Sequence, residues 1–265
     1  MGDDRYTLHF DVEGDLLAAG HDCEESVFLR WFGNTRDQLA EEYGRYEDTS
    51  VFLVVADGAG EAVGACRLIV PGEPGLKTLH DLGREPWRLD GVRSARAAGL
   101  DPDDTWDIAT LGVRDGMRAR GVLVAAALYH GLIAASRANG FRSVVTIMDD
   151  PVRELVTGIG MLTHLLPGAS SGPYLGSAGS TPVYGHCQAM IDGQRRIAPE
   201  AYRLVSLGIG LDGISVPEPE AFRLSRTVGT YRPAEVLDPV ADLAPARLWA
   251  QPAARRGALS PARRS

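Results

Sequence analysis

The sequence is nearly without lysine. Of its 27 lysines and arginines only Lys77 is a lysine. A cationic site in this chain must therefore be built from arginine or histidine. Arginine suits phosphate because its planar fork offers two donors at once. Cysteine is scarce too. Cys23, Cys66 and Cys187 are odd in number and far apart. With no CxxC pair and no Cys/His cluster, the spacing of a zinc site is missing, and the reading is reduced thiols and no metal. The opening MGDDRYTLHF lacks the apolar core of a signal peptide. The longest apolar run, 121–135, is shorter than a bilayer crossing and contains Tyr129 and His130. A net charge of -8 argues against a nucleic-acid surface. No internal repeat is present. The expectation is a soluble, cytoplasmic protein with no membrane span and no nucleic-acid partner.

What is present is ordinary globular material. A chain of 265 residues, 45% hydrophobic and 23% charged, can bury a substantial core. Residues 6–12, YTLHFDV, read as a first strand. Residues 23–33 and 35–46 read as helical or loop-helical, anchored by Val27, Phe28, Trp31 and Phe32. VFLVVA and AVGACRLIV flank the turn DGAGE, a hairpin signal. Residues 71–105 are rich in loop-forming residues and read as a lid or binding loop. WDIATLGV is a strand, 121–139 a helix, and SVVTIM a strand. DDPVRELVTGIGM opens another helix, with Asp150 as N-cap and Pro151 at its first position. The Gly/Ser/Pro-rich stretch 167–181 leads into PVYGHCQAMI, read as a strand. Residues 199–232 carry weaker order signals. From 233 the chain is rich in Ala, Pro and Arg, has no acidic residue after Asp242, and reads as a disordered tail. This order is mixed α/β: a hairpin feeding a strand–helix–strand crossover.

The junction RDGMRARG, between the strand and the helix of 121–139, holds three arginines and two glycines. A helix start offers free N–H groups and the positive end of the helix dipole, a natural anion site. Gly116 and Gly121 permit a tight turn or close approach of a ligand. Arg114, Arg118 and Arg120 add charge. Val122, Leu123, Val124, Leu128, Leu132 and Ile133 cover most faces of the helix, which is expected to be buried and to hold the loop rigidly. Two readings stand: a pyrophosphate or phosphopantetheine site, or a solvated arginine-rich turn.

This ordered set resembles the Gcn5-related N-acyltransferase superfamily. Its loop reads Arg/Gln-x-x-Gly-x-Gly/Ala; here Arg118-Ala119-Arg120-Gly121-Val122-Leu123 matches the first arginine and the glycine and ends in leucine. The finer resemblance is to the branch of acyl-homoserine-lactone synthases and long-chain N-acyl amino acid synthases. It is carried by EEYGRYEDTSVFLVVADGAGEAVGACRLIVP, WDIATLGV and RANGFRSVVTIMDDPVRELVTGIGM, and covers residues 5–192. Asp107 stands where that branch has Glu, and Thr110 where it has Arg. These departures weigh against lactone formation and leave acyl transfer as the implied chemistry. The implied fold is an α/β, mostly antiparallel mixed central sheet flanked by helices. The implied organisation is an acyltransferase domain over 1–198, an extension packed on it over 199–232, and the tail.

The resemblance implies an amine attacking an acyl thioester, carried on acyl-CoA or on the phosphopantetheine of an acyl carrier protein. Backbone groups of Leu111, Gly112 and Val113 would contact the pantetheine arm, with Gly112 keeping the strand face open. The N–H groups of Arg118, Ala119, Arg120, Gly121, Val122 and Leu123 would take the phosphate. Asp107 is a candidate general base or a group that orients the amine, or simply a carboxylate at a strand entrance. Arg67 is a candidate for an acceptor's carboxylate, or half of a structural ion pair. Tyr184, sharing a strand face with His186, is a candidate proton donor to the thiolate, or packing. Glu47 and Asp48 sit where related enzymes bind the amine, and a solvated acidic turn explains them equally. His130 reads as a core histidine.

The expected partners are a small-molecule or amino-acid amine and, through a dock built from Arg114, Arg118, Arg120, Arg137, Arg142 and Arg153, a carrier protein. A medium or long acyl group would need an apolar tunnel, which 71–105 and 167–181 would line. The alternatives are a non-catalytic acyl-thioester-binding or interaction module of the same fold, and an ordinary acetyl-CoA-dependent acetyltransferase.

Overall fold

A single sheet runs through the protein, and its order explains where a site can form. The computed structural model describes residues 5–117 and 119–232, the side chain of Ala119 excepted. The reading of the tail from 233, and the contacts of Arg118, lie outside the described residues. In chain order the elements begin with β1 (Tyr6–Phe10), α1 (Gly14–Phe32), α2 (Arg36–Tyr43), a 3-10 turn (Gly44–Thr49), β2 (Ser50–Ala56) and β3 (Ala62–Ile69). They continue with α3 (Lys77–Asp81), α4 (Gly91–Ala97), β4 (Thr105–Val113), α5 (Ala119–Asn139), β5 (Ser143–Asp149) and α6 (Asp150–Gly158). The last are β6 (His164–Leu165), β7 (Gly172–Tyr174), β8 (Ser177–His186), α7 (Cys187–Ile197), α8 (Pro199–Ala201) and β9 (Ile214–Ser215).

The strand order is β6-β8-β5-β4-β3-β2-β1-β9, with β7 also on β8. All pairs are antiparallel except β1–β9 and β4–β5. This is the mixed, mostly antiparallel sheet flanked by helices that the sequence implies. The hairpin β2–β3 lies at its centre and is buried along its whole length. Its β-branched and apolar residues alternate between two cores. Val51, Leu53 and Val55 face α5 with Leu8, Trp106, Val124 and Leu128. Phe52, Val54 and Ala65 face α1 with Cys23 and Val27.

Local signals account for the helix ends. Thr35 and Gln38 form a reciprocal capping box at α2. Gly33, at φ 73°, ends α1 with its N–H on Leu29 O. Asp149, one residue before the expected Asp150, caps α6 through Val152 N. Helix α5 is long and apolar enough to cross a membrane by length and composition, yet half of that stretch is buried. One side lies on the sheet. Against another, His130 Nδ1 meets Val205 O at 2.9 Å and Arg137 donates to Ser206 O at 3.1 Å.

Two expectations are corrected. Residues 71–105 are not an open lid. They fold into α3 and α4, and Ala95 of α4 with the flanking Leu76, Leu82 and Leu100 is buried with Tyr46, Ile69, Val145 and Leu166 in a third core. And β8 stops at His186: CQAMI is the start of α7, which buries Met190 and Ile191.

A split in the sheet and a saturated ion network

Strands β4 and β5 pair in parallel only at Thr105↔Ser143, Trp106↔Val144 and Asp107↔Val145. Both then continue, β4 to Val113 and β5 to Asp149, with no further pairing between them. Thr146 Oγ1 donates to Ile108 O at 2.8 Å and pins the point of parting. Opposite β3 the register of β4 skips Ala109, a bulge that turns the strand. The Tyr43 hydroxyl reaches Ala109 O at 3.4 Å.

A cavity of about 290 Å³ fills the split. Its walls are Ile108 to Val113 of β4, Thr146 to Asp149 of β5, and the aromatic groups Phe28, Phe32, Tyr43, Tyr129 and Tyr174. A second cavity of about 470 Å³ lies at the turn before α5, lined by Trp31, Arg114 to Met117, Gly121, Val122, Leu204 and others. Val113, Ala125, Tyr129 and Leu155 belong to both walls. The first cavity is thus bounded by strands and the second by a helix start, with Tyr129 where they meet. Burial pushes the Tyr129 hydroxyl up, with smaller contributions from Cys66 and Asp149, so it stays protonated at neutral pH.

The turn itself is open. Gly116 has φ 86° and nothing within 4 Å of where a side chain would sit. At Gly121 a Cβ would meet only Met117 at 3.4 Å and Val113 at 3.8 Å, which is ordinary contact. Arg114 Nε is buried without a hydrogen-bond partner among the described residues. Arg120 contacts the Tyr6 hydroxyl at 3.4 Å. The arginines read as one dock are otherwise engaged in part: Arg142 faces Asp104 at 3.6 Å, and Arg137 serves Ser206.

Gly112 does not keep a strand face open. A Cβ there would lie 2.6 Å from Val27 Cγ1, so the glycine makes room for α1. Leu111, Gly112 and Val113 still form the cavity-side edge of β4, where no strand pairs with them.

Arg67 is 3% exposed and has no donor to spare. Its Nε and one terminal nitrogen grip Glu24 at 3.0 and 2.7 Å. That nitrogen also meets His21 Nδ1 at 3.2 Å, and the other meets Glu47 at 2.7 Å and Ser50 at 3.3 Å. Thr110 donates to the same Glu24 at 2.5 Å. The Arg67 guanidinium lies between the Phe52 ring at 4.7 Å and the Tyr43 ring at 4.9 Å. Of its two readings, the geometry is that of the structural ion pair. Glu47 belongs to this network and also holds His21 Nε2 at 2.9 Å. Burial acts to raise its carboxyl, but the His21 hydrogen bond and the Arg67 charge prevail and hold it at about 2. Asp48 is exposed beside it.

On the other side of Tyr43 sits the chain's one lysine. Lys77 is 2% exposed, and its Nζ lies 4.9 Å from the Tyr43 ring centre. It donates to Asp81, to Glu42 at 2.9 Å and to the Tyr174 hydroxyl at 3.1 Å. All three ammonium protons are used. This network, which anchors the Tyr43 and Tyr174 walls, has no local sequence signal, because its members come from α2, α3 and β7.

Asp107 is fully buried and faces α3. It accepts from Thr78 N at 2.6 Å and Thr78 Oγ1 at 2.8 Å, capping that helix. Burial pushes its carboxyl up to about 7, against the pull of the Thr78 bonds. It is not on the wall of either cavity. Neither is Tyr184, which packs against His164 and His186 on the strand-edge side, with ring centres 5.4 and 5.6 Å away. The sequence reading missed Tyr129, because α5 is apolar nearly all round and no periodicity shows which face meets a cavity. Among the described residues no group of three or more His, Cys, Asp or Glu is placed to hold a metal.

No protein-family model matches the chain. No curated protein matches it by sequence either. Solved structures do match. A CoA-dependent acyl-homoserine lactone synthase, BjaI, in complex with MTA superposes with a TM-score of 0.52 at 15% identity, over 83% of this chain and 97% of that one. FeeM, an N-acyl amino acid synthase from uncultured soil microbes, superposes with a TM-score of 0.54 at 9% identity, over 72% and 95%. The chain therefore shares its fold with that acyl-homoserine lactone synthase and that N-acyl amino acid synthase.

Proposed function

We propose that this protein is an N-acyltransferase that moves a medium or long acyl group from a thioester to an amine. The observation that carries the reading is the parting of β4 from β5 over a largely apolar cavity that adjoins a second cavity at a helix start. A thioester donor has this layout: an anionic end, a polar arm and an apolar chain. The α5 start, with its free N–H groups and the open turn at Gly116, suits the phosphate. The unpaired edge of β4 at Leu111 to Val113 suits the amides of a pantetheine arm, which can add to it as a strand would. The split suits the acyl chain and has far more room than an acetyl group needs. The fold shared with BjaI and FeeM, named for CoA-dependent and N-acyl chemistry, supports the same reading.

In the step itself the free amine attacks the thioester carbon, the C–N bond forms as the C–S bond breaks, the nitrogen sheds one proton to solvent, and the sulfur takes one. Tyr129, protonated and at the meeting of the two cavities, is placed to give that proton and regain one from solvent. It takes the role first read for Tyr184. Acyl-CoA and an acyl carrier protein both present the same arm. A screen of acetyl-CoA, a long acyl-CoA and an acyl carrier protein against a panel of amines, read by mass spectrometry, tests the proposal. An amide product with the long donors supports it.

One observation favours a second reading, a non-catalytic acyl-thioester-binding module. Asp107, Glu47 and Tyr184 all lie off the cavity walls. Thioester binding without consumption in the same screen would select that reading.

A further inference from the structure

The hairpin of β7 and β8, on one side of the split, carries a residue that its turn does not favour. The two strands are joined by the pair Leu175–Gly176, between the paired Tyr174 and Ser177. Both residues of the turn have positive φ, 42° at Leu175 and 84° at Gly176. Such a turn favours glycine, asparagine or aspartate, and a leucine in its first central place is strained. Neither anchor of the turn needs that leucine. A side chain on Gly176 would run into the Phe32 carbonyl, so the turn is seated on the end of α1 through its glycine. On the other side the Tyr174 hydroxyl donates to Asp81 at 2.6 Å and accepts from Lys77 at 3.1 Å. Nor does the leucine serve the interior. Among the described residues it packs on none of the three cores. It is half-buried, and it lines the first cavity.

We propose that Leu175 is the stop that sets the longest acyl chain the split accepts. This rests on the acyl-thioester reading of the two cavities and deepens it to a chain-length specificity. Val113, Ala125, Tyr129 and Leu155, the walls common to both cavities, mark the end at which the chain enters. Leu175 lines the first cavity alone, together with Phe28, Phe32 and Tyr174. A chain that passes Tyr129 and fills the split ends against that wall. Because the turn is held at Gly176 and at Tyr174, its backbone does not give way to a longer chain. Methylenes beyond Leu175 stay in water and add nothing to binding.

The test is a binding ladder. Straight saturated acyl-CoAs from butanoyl to hexadecanoyl are titrated into the full-length protein by calorimetry. Affinity of the wild type is expected to climb with length and to level off at a definite chain. Leu175→Gly suits the positive φ and removes the side chain. In it the climb is expected to continue for about two to four further methylenes, each worth about fourfold. Leu175→Asn also suits the turn but keeps nearly the same bulk. Its ladder is expected to level off where that of the wild type does. If Leu175→Gly folds poorly, Leu175→Ala is measured in its place. The same levelling point in wild type and Leu175→Gly, or a uniform loss at every length, would overturn the proposal. So would a shift in Leu175→Asn as large as in Leu175→Gly, since relaxing the turn would then be the cause. No binding of any acyl-CoA would overturn it together with the donor site. A separate assay of amide formation keeps the two readings apart. A shifted ladder with no amide formed would defeat the acyltransferase reading and leave the stop standing. Amide formation with an unshifted ladder would do the reverse.

Discussion

Glu24 of α1 meets Arg67 of β3 in a two-point ion pair, at 3.0 and 2.7 Å, with both side chains no more than 3% exposed. This pair sews the first helix to the centre of the sheet, and Thr110 of β4 joins it at the same carboxylate. Removing one member leaves the other charge buried without its partner. Glu24→Ala is expected to destabilise the protein by about 3–5 kcal/mol. Urea unfolding followed by circular dichroism measures it. A loss below about 1 kcal/mol would mean that water replaces Glu24 and that Arg67 is open to ligands after all.

Asp107 and Thr78 set a pH dependence. With its carboxyl pushed up to about 7 when folded, from an ordinary value of 3.8, Asp107 binds its proton more tightly in the folded state. Stability from this group is therefore greatest in acid and declines as pH rises from about 4 to about 7. Relative to Asp107→Asn, the wild-type protein should lose stability between pH 5 and pH 8. Thermal melts of both proteins across that range check it. Parallel curves would show that the carboxyl titrates normally.

Much of the fold is legible in the sequence, and the reasons for the rest are physical. The hairpin 50–69 and the β4–α5–β5 crossover carry local signals: alternation, a Gly/Asp turn and a long apolar helix. The helices α3 and α4 carry little, since each is under eight residues: α4 has one local cap, Asp90 on Arg93 N, and α3 is held by the distant Asp107. Cys187 to Ile191 are as apolar as a strand, and the helix there is fixed by Met190 and Ile191 reaching the core. The site is less legible than the fold. Whether Tyr129 or Tyr184 faces a cavity depends on where β4 and β5 part, and that is a property of the whole sheet.

Gly121 tests the donor end. A valine there adds a side chain that the protein accommodates, with its Cβ in ordinary contact with Met117 and Val113, yet it projects beside the helix start. Gly121→Val should leave the melting temperature nearly unchanged and weaken acyl-CoA binding by roughly tenfold or more. Calorimetric titration with acyl-CoA decides. Unchanged affinity would place the phosphate elsewhere.

Tyr129 tests the chemical step. Tyr129→Phe keeps the ring in both walls and removes the proton. kcat should fall by roughly a hundredfold, in the usual range for general acid catalysis, with KM for the donor little changed. Steady-state kinetics separate the two parameters. An equal kcat would mean that the thiolate leaves unaided or is protonated by water.

The central claim is that the split between β4 and β5 holds an acyl chain. The most direct measurement is kcat/KM for acyl thioesters of increasing length with one amine acceptor. Each methylene buried in the split should improve it by about fourfold, from about 0.8 kcal/mol of burial, until the cavity is full. A profile that rises steeply from two carbons to a plateau at medium or long chains is the predicted result. A flat profile, or a maximum at acetyl, would contradict it.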